Sequence, residues 1–428
     1  MAMAGLRTPV IESVADVRRF IFSFTAAATN RHVRLTFKKL LVALDHPEAA
    51  VKAIHITGTN GKGSTTAMLY NGLRAAGLRV AAYLSPDVFD FRERWQVNGE
   101  LVQDDILIGA ARELAAKTAH INPAATDLTE FEVKTLLAFL IARRSNVDYH
   151  CIEVGIGGKF DATNVIPAPA AAIITSIGAD HADVLGDSIR DVAYHKVGIV
   201  KAGTGVVGIG QITGEPRDII LERANHLERP VVDAAALEPI PTVLPGHPMA
   251  VNAALVVAVL REILPMDVDM HVVQSAVART VIPGRMQVIS ASDNVLLFDG
   301  AHNVAAAANL ATTIQQLYAG KQNVHAVVAH TGTHDGVGFA AALAPALSSV
   351  IVTVIPERGQ CPDAVEDAYL RAGLPVAVVD DPKDALQHAI DGAGAGDIIL
   401  ITGSFYLAEA MRMYLPHGWT PAISTLSA

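Results

Sequence analysis

The sequence predicts an α/β protein in two parts: an N-terminal phosphate-loop domain with a mainly parallel sheet, and a C-terminal Rossmann-like domain. Three observations carry this. Apolar strand segments alternate with amphipathic helical ones along the chain. A glycine-rich turn containing a lysine and hydroxyls, residues 58–64, stands between an early strand and the helix after it. The strand–helix cycle then restarts beyond a break at Thr280-Val-Ile-Pro-Gly284, so the 428 residues divide into domains 1–282 and 283–428.

Taken in order, residues 51–57 read as a strand entering the turn 58–64, and 65–76 as a helix. A second strand, 79–84, stops at Ser85-Pro86. Helical periodicity over 130–144 precedes an apolar strand, 147–154, that ends in a run of glycines. Residues 170–177 form another apolar strand, and 188–200 a helix that stops before Lys201-Ala-Gly203. In the second domain, strands are expected at 295–298, 324–329, 350–354, 376–379 and 398–401, with helices between them. No internal repeat or low-complexity tract interrupts this order.

Composition limits the partners. With 51% hydrophobic and 18% charged residues the chain can bury a sizeable core. A net charge of −10 offers no basic footprint for nucleic acid or an anionic membrane. The N-terminus lacks the basic start and apolar stretch of a secretory signal. The longest apolar runs fall short of the roughly 18–20 residues that span a bilayer. Cys151 and Cys361 read as small buried hydrophobes rather than a disulfide pair. A cytoplasmic protein is expected.

The turn Thr57-Gly-Thr-Asn-Gly-Lys-Gly-Ser-Thr65 has the strand–loop–helix setting that gives such a motif meaning. Glycines let the backbone approach phosphates and turn N–H groups toward them. The following helix N-terminus adds partial positive charge. Lys62 then supplies a point charge for the β- and γ-phosphates, and Ser64 a hydroxyl for phosphate or metal. Gly63 separates lysine from hydroxyl, a departure from the general phosphate-loop pattern.

That loop resembles the one in the folylpolyglutamate/dihydrofolate synthase family of the Mur-ligase superfamily. Further stretches are similar to the family's in the same order. They include Leu84-Ser-Pro86 with Phe91-Arg-Glu-Arg94 and Val97-Asn-Gly-Glu100, then Thr129-Glu-Phe-Glu132 and Glu153-Val-Gly-Ile-Gly-Gly-Lys-Phe-Asp-Ala-Thr-Asn164. Ile174-Thr-Ser-Ile-Gly-Ala-Asp-His181 follows, with Lys196, Pro283-Gly-Arg285, Asp299-Gly-Ala-His-Asn303 and Thr402-Gly-Ser-Phe405. The resemblance spans about residues 30–410 and implies a Mur-ligase fold. It also implies an ATP-dependent ligase that activates a carboxylate as an acyl phosphate and joins it to an amino acid, L-glutamate.

Such chemistry asks an anionic carboxylate to attack a γ-phosphate, so a metal and fixed positive groups must neutralise the repulsion. The resemblance implies ATP and Mg²⁺ as cofactors. Thr59, Asn60, Gly61, Lys62, Gly63, Ser64, Thr65, Asn252, Arg285, Asp299 and His302 would surround the nucleotide. Ser85, Glu153 and His181 would hold the metal, and Lys62, Glu153, His181 and Lys196 would act in catalysis. Lys196 matches a lysine that the family can carbamylate; an ordinary helix-surface lysine is the alternative. Asn303 also reads as a helix cap, and Asp299 as a turn residue. The subunit number is left open.

Departures gather where the acid and amine would bind. Lys38 stands in place of a glutamate, Asp87 in place of a histidine, Lys159 in place of an arginine, His195 in place of a glutamate, and Val304 ends the AHN segment. Lys159 keeps the charge but loses the bidentate fork. Lys38, Asp87 and His195 favour a second reading, a paralogous ligase for another carboxylate or amine. A third, a non-catalytic nucleotide-binding protein, is opposed by retention of Lys62, Ser85, Glu153, His181 and Lys196.

Overall fold

The computed structural model describes residues 9–25, 35–122, 127–179, 182–291, 294–318, 322–332, 335–356, 358–411 and 424–425. Its contacts divide the chain into two units. The first comprises residues 1–85, 94–241 and 251–280; the second comprises 86–93, 242–250 and 281–428.

The first unit is built on an eight-stranded sheet. Its strands are β1 (Lys52–Thr57), β2 (Val80–Tyr83), β3 (Trp95–Val97), β4 (Glu100–Leu101), β5 (Tyr149–Glu153), β6 (Ala171–Ile174), β7 (Val206–Ile209) and β8 (Val231–Asp233). They lie in the order β4-β3-β2-β5-β1-β6-β7-β8. Neighbours from β2 to β8 are parallel, while β3 and β4 add an antiparallel edge. β5 and β6 are buried along their whole length, as expected of central parallel strands whose side chains meet apolar groups on both faces.

Helices α1 (Val14–Phe22), α2 (Leu35–Ala43), α3 (Lys62–Ala75), α4 (Asp104–Ile121), α5 (Glu130–Arg144), α6 (Ala182–Leu185), α7 (Ile189–Val197) and α8 (Glu215–His226) follow in chain order. α9 (His247–Ile263), whose residues from 251 onward belong to this unit, and α10 (Met270–Ala278) complete it, before a short strand β9 (Thr280–Val281). α5 starts where the sequence places it because Thr129 and Glu132 form a reciprocal capping box. Ser188 and Asp191 do the same for α7. α7 and α8 seal one part of the sheet, with Ala193, Val197, Ile219 and Ile220 packed among Ala172, Ile174, Val207 and Ile209. α3 begins at Lys62, three residues earlier than the periodicity suggested, because the glycine turn closes at Gly61. It lies close against α9 and α10 at Gly72, where a Cβ would stand 2.6 Å from Leu260 and 3.0 Å from Val277.

The second unit carries a six-stranded sheet of β10 (Gln287–Ala291), β11 (Val295–Phe298), β12 (Val324–Val328), β13 (Ser349–Val352), β14 (Val376–Val378) and β15 (Ile398–Thr402). The order is β10-β11-β15-β12-β13-β14, all parallel except β10, which pairs antiparallel with β11. Helices α11 (Val304–Tyr318), α12 (Gly336–Leu343), α13 (Pro362–Arg371), α14 (Pro382–Gly392) and α15 (Phe405–Met411) connect the strands. Leu310, Ile314, Phe339, Leu343 and Tyr369 pack against Leu297, Ala326, Val328 and Leu400.

A single cut at 282/283 assigns residues 86–93 to the first domain, whereas they cluster with the second. Val88 accounts for this, buried in one apolar cluster with Phe298, Ile401 and Phe405. Glu93 ties the same segment together by accepting the N–H groups of Val88, Phe89 and Asp90 at 2.6, 3.0 and 2.9 Å. Cys151 is buried in β5 as expected, but Cys361 is exposed just before α13, which begins at Pro362. Among the described residues, no helix is long and apolar enough to cross a membrane.

Two tests follow from this packing. Gly72→Val should lower the unfolding free energy by about 1–3 kcal/mol in urea titrations, since the added methyl groups must displace Leu260 and Val277. Burial pushes the Glu93 carboxyl up to about 7, against the pull of its three amide donors and with Asp87 adding to the rise. Its contribution to stability is therefore present below the unfolded value of 4.5 and lost as pH rises through about 7. Relative to Glu93→Gln, the wild-type protein should lose on the order of 3 kcal/mol between pH 5 and 8. Urea midpoints that move in parallel would reject the assignment.

Candidate active site

The glycine loop leaves β1 at its carboxyl end and is held by the chain that continues β6. The Thr59 N–H donates to the Ser176 carbonyl at 2.9 Å and the Asn60 N–H to Ser176 Oγ at 2.9 Å. In return, the Thr175 and Ser176 hydroxyls donate to the Asn60 carbonyl at 2.6 and 3.0 Å. Thr59 Oγ1 exchanges bonds with the Gly178 backbone, donating to its carbonyl at 3.1 Å and accepting its N–H at 3.0 Å. The approach is so close that a Cβ on Gly58 would fall 1.8 Å from Thr175 Oγ1. Gly61, at φ 84°, turns the chain into α3, and a Cβ there would meet the Asn252 amide at 2.9 Å. Asn252, buried on α9, therefore flanks the helix start.

At that start, helix geometry leaves the N–H groups of Lys62, Gly63 and Ser64 without intrahelical acceptors. Lys62 Nζ bends over the loop and donates to the Gly58 and Thr59 carbonyls at 2.9 and 3.2 Å. Ser64 Oγ and Thr65 Oγ1 are buried and make no hydrogen bond among the described residues. Such orphaned hydroxyls are costly unless something else engages them.

Glu153 closes this cradle. Parallel pairing sets Glu153 opposite Ile56 on β1, at the carboxyl end of β5, next to the end of β2 where Ser85 stands. The Ser85 N–H donates to Glu153 Oε2 at 2.9 Å. A Cβ on Gly63 would lie 3.4 Å from that same oxygen, so the carboxylate stands against the first turn of α3. Lys62, Ser85 and Glu153 thus come from three adjacent strand ends, in the crevice where open α/β sheets bind ligands. His181 lies outside the described residues. No group of three His, Cys, Asp or Glu side chains gathers as a metal cage among the described residues.

Lys196 is 3% exposed, so it is no ordinary surface lysine. α7 presses its backbone on the turn after β5: Lys159 N–H donates to the His195 carbonyl at 2.7 Å, and a Cβ on Gly158 would meet the Lys196 carbonyl at 3.2 Å. The His195 ring stands edge-on to Phe160 at 5.5 Å.

The second unit groups Arg285, Asp299 and His302 around Phe405. The Arg285 guanidinium lies over the Phe405 ring at 4.6 Å, and His302 is 6.4 Å from that ring. His302 Nδ1 is 2.9 Å from the Gly300 carbonyl. Asp299 accepts the Met286 and Ala301 N–H groups, each at 2.9 Å, so it holds the turn that carries Arg285. Burial raises its carboxyl above the usual range, and Arg285 opposes the rise. Asn303 Oδ1 accepts the Ala306 N–H, which makes it the cap of α11.

Several contributors were not singled out from sequence. Thr175 and Ser176 brace the loop, Thr57 donates to the Gly157 carbonyl at 2.5 Å, and Phe405 supports Arg285. All four lie in stretches similar to the family's, but nothing in their residue type set them apart from their neighbours.

The Mur ligase middle domain matches residues 56–213, and the Mur ligase glutamate ligase domain matches residues 284–405. The folylpolyglutamate synthase of Lacticaseibacillus casei is 31% identical over 448 residues, covering 93% of this chain and 98% of that protein. The crystal structure of Mycobacterium tuberculosis folylpolyglutamate synthase complexed with ADP and AMPPCP has a TM-score of 0.83 and 26% identity, over 94% of this chain and 98% of that one. A bifunctional folylpolyglutamate synthase/dihydrofolate synthase from Yersinia pestis, complexed with AMPPNP and Mn ion, has a TM-score of 0.80 and 25% identity, over 94% and 98%. With the Mur-ligase fold in both units, this chain belongs to the folylpolyglutamate synthase/dihydrofolate synthase family and is a ligase of that kind.

Proposed function

We propose that the protein uses ATP to activate a folate-type carboxylate, dihydropteroate or a reduced folate, as an acyl phosphate, and then joins it to L-glutamate with release of ADP and phosphate. The observation that carries this reading is the braced loop with the buried Ser64 and Thr65 hydroxyls facing no partner of their own and Glu153 opposite Gly63. Phosphate oxygens suit those hydroxyls and the N–H groups at the start of α3. Mg²⁺ or Mn²⁺, which takes oxygen ligands and keeps several waters, suits Glu153, Ser85 and the phosphates. When bound, the metal would neutralise charge on the transferring phosphoryl group.

The chain's own residues do the rest. Lys62 exchanges its two loop carbonyls for phosphate oxygens. Asn252, Arg285, Asp299 and His302 serve the nucleotide in this reading, and His181 joins Glu153 at the metal. The buried Lys196 is the candidate for carbamylation, which would turn a cation that is costly to bury into a carboxylate. A cytoplasmic setting suits the reaction, since ATP and folates are at hand there.

Three outcomes are expected. Lys62→Ala should cut ADP formation about a hundredfold or more while the melting curve stays near wild type, because the ammonium serves a phosphate rather than the core. ADP formation near the wild-type rate by that folded variant sinks the loop assignment. Glu153→Gln should raise the Mg²⁺ or Mn²⁺ concentration for half-maximal rate by about tenfold or more; unchanged metal dependence removes Glu153 from the metal site. Dihydropteroate or a reduced folate should stimulate ADP release only with L-glutamate present, giving the mass of the glutamyl adduct. Turnover of a different acid, with no folate adduct, would replace the folate reading by that of a paralogous ligase.

A further inference from the structure

Beneath the glycine loop, a buried chain of side chains links β1 to the turn after β5. His55 and Thr57 lie two residues apart on β1 and so face the same side of the sheet. Both bond to the 155–163 segment: Thr57 Oγ1 donates to the Gly157 carbonyl at 2.5 Å, and His55 Nε2 is 2.8 Å from Thr163 Oγ1. Thr163 in turn donates to Asp161 Oδ1 through its hydroxyl at 2.5 Å and its N–H at 2.9 Å. Asp161 Oδ2 accepts the Ile156 N–H at 3.0 Å. His55, Thr57 and Thr163 are fully buried, and Asp161 nearly so.

These partners define the tautomer. Both Asp161 oxygens accept N–H groups, and these donors oppose the rise that burial gives its carboxyl, so the Thr163 hydroxyl proton is committed to Asp161 Oδ1. The hydroxyl then receives a hydrogen bond from His55, whose proton must sit on Nε2. Nδ1 is left buried with no hydrogen-bond partner among the described residues. Burial pulls His55 down to about 3, so the imidazole stays neutral at working pH. An unsatisfied buried acceptor costs about 1–3 kcal/mol, which an apolar residue on this strand would avoid.

We propose that His55 is a positioning residue which, through Thr163 and Asp161, holds the turn after Glu153 in register with the glycine loop and so sets the affinity for the metal–nucleotide. This rests on the ligase reading above. Glu153 stands opposite Ile56, the residue between His55 and Thr57, and the turn that begins two residues after Glu153 is anchored by Thr57 at Gly157 and by Asp161 at Ile156. Freeing the Asp161 end lets that turn slide along β1 and re-aims the carboxylate.

The test measures binding of Mn²⁺–AMPPNP to the full-length protein by electron paramagnetic resonance of free Mn²⁺, beside melting curves. His55→Leu should weaken binding about tenfold. His55→Gln, whose Nε2 can still donate, should stay within about threefold of wild type. Combining His55→Leu with Thr163→Val should bind no more weakly than Thr163→Val alone, because both break one chain. Wild-type affinity in His55→Leu, equal loss in a folded His55→Gln, or effects that multiply in the double variant would each overturn the proposal. If His55→Leu does not fold, His55→Gln compared with Thr163→Val decides the matter: retention in the first with about tenfold loss in the second supports the chain, and equal affinity overturns it. A wild-type protein that binds no Mn²⁺–AMPPNP would sink the ligase reading itself, an outcome separate from a variant that binds as well as wild type.

Discussion

A loop that offers an anion the first turn of a helix must keep that turn's N–H groups turned outward while the rest of the loop is fixed. Here that constraint is met by the two hydroxyls that follow β6. Thr175 and Ser176 take up the Asn60 carbonyl, and Ser176 also takes up the Asn60 N–H, so the loop is pinned to β6 ahead of the helix start. The contact demands glycine at position 58, since any side chain there would strike Thr175. It also delivers the chain at Gly61 in a left-handed conformation from which α3 starts at once. The N–H groups of its first turn are thereby aimed at one place without reorganisation when charge arrives.

The rest of the first unit's chemistry depends on that anchor through strand register. β2, β5 and β1 are parallel neighbours, so their carboxyl ends bring Ser85, Glu153 and the loop together without any of them being adjacent in sequence. Hydrogen bonds from β1 to the turn after β5 reinforce the register from within the sheet. The second unit uses the same device with different groups. Asp299, at the end of β11, spends both oxygens on backbone N–H groups, and the turn it holds lays Arg285 on Phe405. A guanidinium stacked on a ring loses less freedom when it meets a phosphate than one waving in solvent.

The departures from the family pattern are spread over both units. Lys38 is exposed on α2, and Asp87 lies in the segment 86–93 that Glu93 organises. His195 packs its ring on Phe160. Lys159 and His195 meet at the turn after Glu153, where the Lys159 N–H donates to the His195 carbonyl at 2.7 Å.

Composition, strand–helix alternation and the motif at 57–65 were enough for the fold class, the glycine turn between β1 and α3, the start of α5 at its capping box and the two cycles of α/β structure. Those features are local: periodicity, caps and glycine turns act over a few residues, so the sequence displays them directly. The excursion of residues 86–93 into the second unit, the antiparallel edge strands β3, β4 and β10, and the exposed position of Cys361 were not legible, because each depends on partners far away in the chain. The same holds for the candidate site. Lys62 and Glu153 were candidates from their motifs, but a buried Lys196, an Asp299 that serves its own backbone, and the hydrogen bond from His55 to Thr163 were decided only by packing. A side chain's type is written in the sequence; which of its hydrogen bonds are already spent is settled by the tertiary structure, because in a buried site every donor must find its acceptor among residues the fold brings near.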